Sequence, residues 1–154
     1  MSGRHYIMAN APTAITNNAW VIAQLTAGAT QPLTVHRYKL QTNVLTSAQS
    51  VVTVQFGTYA TGTSTNTVAL PVIKAKETWN TIAASATPYG MTATLGTTFT
   101  VFDQFQWNLA LPWEDTLGLI PIKYELQATK VFAIILPNAS GTPTLNCSVD
   151  FEEY

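Results

Sequence analysis

The closing stretch TLNCSVDFEE alternates without a break, with Leu145, Cys147, Val149 and Phe151 on one parity and Asn146, Ser148 and Asp150 on the other. Residues of opposite parity leave an extended strand on opposite faces, and this spacing gives no apolar stripe on a helix. VVTVQFGTY repeats the pattern, Val52, Val54 and Phe56 sharing one face and Thr53, Gln55 and Gly57 the other. LTVHRYKLQT reads with His36, Tyr38 and Leu40 on one side and Val35, Arg37, Lys39 and Gln41 on the other, so Arg37 and Lys39 face solvent or a partner. AWVIAQL (19–25) is apolar on both faces and reads as a strand buried from both sides. The apolar run Val131 to Pro137 is far shorter than the roughly 20 residues a membrane helix needs, so it too reads as a buried strand.

Further strands are expected at Trp79 to Ala83, Thr98 to Phe102, Phe105 to Leu109, Leu117 to Ile122, Lys130 to Leu136 and Leu145 to Phe151, punctuated by glycine and proline. Eight or nine short strands with almost no helix define an all-β, antiparallel β-sandwich. Irregular connections of up to about twenty residues favour a jelly roll over a simple meander. Residues 1–18 read as an N-terminal arm and 19–154 as a single jelly-roll domain. The start, MSGRHYIMANAPTAITNN, lacks the apolar core of a secretion signal. ATGTSTNT has no apolar anchor and reads as a loop.

The chain of 154 residues is only 10% charged, well under the usual quarter or so, and threonine fills about a sixth of it. No charge occurs between Lys39 and Lys74 or between Glu77 and Asp103. The surface must therefore be largely hydroxyl and amide, which is less costly to cover than ions and suits a protein that packs against neighbours. A net charge of -1, with Arg37, Lys39, Lys74 and Lys76 too few for a basic groove, speaks against nucleic acid as a ligand. No membrane partner is expected either. Cys147 is the only cysteine and reads as a buried apolar residue. Without a second cysteine or a close histidine pair, the spacing signals neither zinc nor any cofactor.

Catalytic constellations are equally sparse. His5 lies near the start and reads as solvated, while His36 sits inside a strand and reads as a packed or hydrogen-bonded sheet residue. Glu114 and Asp115 follow Pro112 and Trp113 in what reads as a solvated turn, since adjacent residues rarely converge like a glycosidase pair. Glu152 and Glu153 read as an exposed strand end. No catalytic residue is assigned. The remaining feature is aromatic: Phe99, Phe102, Phe105, Trp107 and Trp113 crowd FTVFDQFQWNLALPWED. Exposed, Trp107 or Trp113 could stack on a sugar, as in a lectin-like or receptor-binding module; covered, they would belong to a core or subunit contact. The candidate interface residues are Phe105, Trp107, Trp113, Arg37 and Lys39.

The C-terminal half, FDQFQWNLALPWEDTLGLIPIKYELQATKVFAIILPNASGTPTLNCSVDFEEY, resembles a family of small tailed-bacteriophage virion proteins. Phe105 and Trp107 occupy the place of its strand bearing Phe and Gln or Trp, Leu111, Pro112, Glu114 and Asp115 that of its acidic Leu-Pro turn, and Phe151, Glu152 and Glu153 that of its closing strand. The N-terminal half is similar in layout. The chain departs from the pattern in IPIKYELQATK, which has Pro121 and Lys123 without the family's glycine. The resemblance implies a jelly-roll decoration, or cement, protein made in the host cytoplasm. It would sit on the virion surface as a homotrimer and clamp neighbouring subunits of the major capsid protein.

Overall fold

A computed structural model describes residues 4–16, 19–42, 51–60, 66, 68, 70, 72–74, 84–109, 113–116, 124–138 and 144–154, with 72–74 and 113–116 described by backbone. Twelve strands lie within them: β1 (Arg4–Ala9), β2 (Thr13–Ala14), β3 (Trp20–Thr26), β4 (Leu33–Thr42), β5 (Val51–Tyr59), β6 (Val72–Lys74), β7 (Thr87–Tyr89), β8 (Phe99–Asn108), β9 (Trp113–Thr116), β10 (Tyr124–Leu126), β11 (Val131–Leu136) and β12 (Thr144–Glu153). The expected strands at Trp79 to Ala83 and Leu117 to Ile122, and most of ATGTSTNT, fall outside the described residues.

The strands form two antiparallel sheets. One runs β10-β4-β12-β1-β6, with β9 also on β4 and β2 also on β12; the other runs β7-β3-β11-β5-β8. The first long strand, β1, lies beside the last, β12, and the chain passes between sheets from β1 to β3, β3 to β4, β4 to β5, β8 to β9, β10 to β11 and β11 to β12. That is the jelly-roll order, β1, β12, β4 and β9/β10 facing β3, β11, β5 and β8. The β9/β10 position is split, β9 pairing with Arg37–Leu40 and β10 with Leu33–Val35 along one edge of β4. The connection between β5 and β8 adds β6 to one sheet and β7 to the other.

Three readings change. The stretch 1–18 holds a central strand rather than only an arm: all six residues of β1 pair with β12, and alternation carries Tyr6 and Met8 into the core. The runs at Thr98 to Phe102 and Phe105 to Leu109 form one strand, β8, with a register shift at Phe102 that a period count cannot bridge. WEDT is strand β9, not a turn, because β4 offers it a free edge.

Between the sheets lies an apolar core that includes Leu33, Val35, Tyr38, Leu40, Val149 and Phe151 from one side and Leu25, Val54, Phe56, Trp107, Phe132 and Ile134 from the other. Full burial of such side chains stabilises by about 1.5–3 kcal/mol each. Strand β11 is buried on both faces. Its outward residues Val131, Ala133 and Ile135 join Val21 and Tyr59 in a second cluster, against which Phe99 packs. The chain before β8 closes over this cluster, Thr92 exchanging two backbone hydrogen bonds with Val21 and the Gly96 N–H donating to the Tyr59 hydroxyl at 3.3 Å. Gly57 permits the neighbouring contact: a Cβ there would come within 2.0 Å of the Thr100 carbonyl oxygen, at the β8 register shift.

Candidate functional site

The described residues bring one set of chemistry-bearing side chains together, on the outer face of the first sheet. Its origin is a bulge in β4. Arg37 pairs with Asp150 and Val35 with Phe151, leaving His36 as the extra residue. An extra residue reverses the alternation beyond it. Val35 therefore faces the core, as Tyr38 and Leu40 do, while His36 joins Arg37 on the outer face. This corrects the regular alternation expected for LTVHRYKLQT, which set His36 with Tyr38 and Leu40.

On that face His36 meets Glu152 of β12, Nε2 to Oε2, at 2.9 Å. His5 of β1, paired in register with Glu152, brings its Nε2 to 3.4 Å from Oε1. An ionised carboxylate only accepts, so Nε2 of His36 carries the hydrogen. The two imidazole rings lie 5.4 Å apart, centre to centre. The Tyr154 hydroxyl donates to Oε2 of Glu152 at 3.0 Å. Burial pushes the Glu152 carboxyl up, but hydrogen bonds from His36 and Tyr154 and the charges of His5 and His36 outweigh it and hold it below the ordinary carboxylate value. Burial and the neighbouring Glu152 and Glu125 carboxylates raise the Tyr154 hydroxyl, against a hydrogen bond with Thr34 that is the largest influence and lowers it. Glu152 is thus not an exposed end: its side chain is 12% exposed, against 21% for His36 and 46% for His5.

The next row of the face holds an ion pair, Arg37 Nε donating to Asp150 Oδ2 at 2.8 Å. Partly exposed pairs of this kind contribute at most about 1 kcal/mol. Lys39 follows, opposite Ser148 on β12 and Glu114 on β9. Glu153 has the opposite parity and is buried at 3% exposure, accepting from the backbone N–H groups of Ser85 (3.1 Å) and Ala86 (2.5 Å) and from the Ser85 hydroxyl. It ties the long β5 to β8 connection to β12, which no local signal in FEEY announces.

The aromatic candidates separate. Trp107 is 1% exposed within the core, so it offers no surface platform in the folded chain. Phe105 is half-buried and stacks on Phe56 with centroids 5.4 Å apart. Trp113 stands on β9 opposite Leu40. Of the candidate aromatics whose side chains are described, Phe102 is the exposed one, at the β8 register shift, 49% exposed and stacked on Tyr124 at 5.8 Å. Beside it runs a cleft of about 420 Å³ whose lining includes Thr100, Glu125, Gln127 and Lys130. Val101 and Val51 are also exposed. Cys147 is buried, and burial pushes its thiol far up.

No protein-family model matches the chain, and no curated protein matches it. Among solved structures it is similar to a chain in the acidic stable capsid structure of Helicobacter pylori bacteriophage KHP30, with 9% identity and a TM-score of 0.41, over 99% of this chain and 90% of that one. Chains from the Gt and Gx strains of infectious bursal disease virus are 12% and 13% identical, with TM-scores of 0.20 and 0.21. This chain spans 41% of the length of each. Superpositions this loose carry no argument about function.

Proposed function

We propose that this chain is a non-enzymatic structural protein of a virion, a capsid decoration or cement protein that trimerises and clamps neighbouring major capsid subunits. The observation that carries the reading is strand β8, the outermost of its sheet among the described residues. From Thr100 to Gln104 every residue is exposed, and Val101, Phe102 and nearby Val51 stand among glutamine, threonine and asparagine, with Asp103 on the strand and Glu125 and Lys130 lining the cleft beside it. Such a strand presents an exposed apolar patch to another chain. The scarcity of charge and the likeness of FDQFQW and FEEY to phage virion proteins support the same reading. A rigid trimer would multiply three weak contacts into firm attachment if their spacing matches the shell. Analytical ultracentrifugation and cosedimentation with assembled capsids test it. The expected result is a trimer that pellets with capsids and a Phe102→Glu variant that does not. A monomer that never pellets with capsids overturns it.

A glycan-binding module is the second reading, favoured by the exposed Phe102 and Tyr124 pair beside a cleft with polar lining. Binding to a glycan array that disappears in Phe102→Ala, with no affinity for capsids, would favour it over cementing.

A further inference from the structure

We propose that His5, His36 and Glu152 form a binding site for a divalent transition-metal ion of the zinc class. The donor set is two imidazole nitrogens and one carboxylate oxygen, a combination suited to zinc and its neighbours and unlike the all-oxygen shells of calcium and magnesium. One donor atom from each residue lies within 4.8 Å of the other two. Around zinc, with bonds of about 2.0–2.1 Å, tetrahedral donors sit roughly 3.4 Å apart. His36 Nε2 lies 2.9 Å from Oε2 of Glu152 and His5 Nε2 3.4 Å from Oε1, so each imidazole already stands near that value from one oxygen of the carboxylate. The wider separations must close on binding, and His5 is the most exposed of the three.

The scaffold holds these groups in place. They project from β1, β12 and β4, adjacent strands in the middle of one sheet, and the bulge turns His36 to the same face. Sites on strands are held more precisely than sites on loops. Tyr154 donates to Oε2 of Glu152, the oxygen His36 meets, and so helps hold the carboxylate as outer partners of metal ligands do. On binding, Nε2 of each histidine gives its lone pair to the ion, and a neutral ring carries its hydrogen on Nδ1 instead. Three protein ligands leave a fourth position for water on the solvent side, where His5 is open.

The test is equilibrium dialysis of tag-free, metal-stripped protein against Zn²⁺, with Co²⁺ absorption as a second readout. The expected result is one ion per chain, with the visible cobalt bands of a four-coordinate site and no sulfur-to-cobalt transition, since Cys147 is buried. His5→Ala and Glu152→Gln should abolish saturable binding, and Tyr154→Phe should weaken it about ten-fold. His5 is exposed enough that its variant should fold, which circular dichroism checks. Wild-type protein that takes up no ion, or a folded His5→Ala that binds like wild type, overturns the proposal and leaves the three groups as a hydrogen-bonded cluster.

Discussion

Val35 and Tyr38 both face the core from strand β4, although an odd number of positions separates them and a regular strand would send them to opposite faces. The inserted His36 reconciles them. Deleting His36 should therefore restore unbroken alternation and leave the sheet paired, whereas deleting Lys39 shifts one side of the strand to the wrong face. The expected outcome is a folded His36 deletion with a cooperative thermal transition and an unfolded Lys39 deletion. Circular dichroism and thermal melts distinguish them, and equal disruption by both would show that the bulge does not carry the register.

Trp107 and Phe102 lie on one strand with opposite surroundings. Trp107→Ala should cost about 3–5 kcal/mol, the range for removing a large aromatic from a packed core. Phe102→Ala should change stability by less than about 1 kcal/mol, although it alters the exposed patch. Urea unfolding followed by circular dichroism gives both values.

Glu153 accepts from the backbone N–H groups of Ser85 and Ala86, and the bond from Ala86 is buried. Glu153→Ala leaves those donors unpaired and should destabilise by about 1–3 kcal/mol. Amide exchange at Ser85 and Ala86 should accelerate more than exchange in β11. Uniform acceleration would mean that the carboxylate does not anchor the connection.

Burial raises the Cys147 thiol, and it raises the Tyr59 hydroxyl against a smaller opposing effect of the Gly96 N–H. A group raised in the folded state adds stability that is complete below its unfolded value and is lost as pH rises above it. The loss should begin above the ordinary thiol value of 9.0 and continue above the ordinary tyrosine value of 10.0. Cys147→Ala and Tyr59→Phe should each flatten the alkaline limb of a stability-against-pH curve. Thiol reagents should reach Cys147 only when the chain unfolds, which a timed labelling assay checks.

Much of this protein is written in its local pattern. Alternation in TLNCSVDFEE and VVTVQFGTY, and the apolar run of β11, determine strands, their buried faces and the place of Cys147, because period two is a property of the extended backbone wherever it lies. With so little charge, they also determine a two-layer β fold. The tertiary structure alone decided which strands adjoin. The bulge at His36 depends on the register of β4 against β12, settled by core packing across sequence-distant segments. The meeting of His5, His36 and Glu152, the burial of Trp107 and the anchoring of Glu153 by Ser85 and Ala86 follow from that pairing. No residue spacing along the chain encodes these contacts, since each joins segments that only the closed sandwich brings side by side.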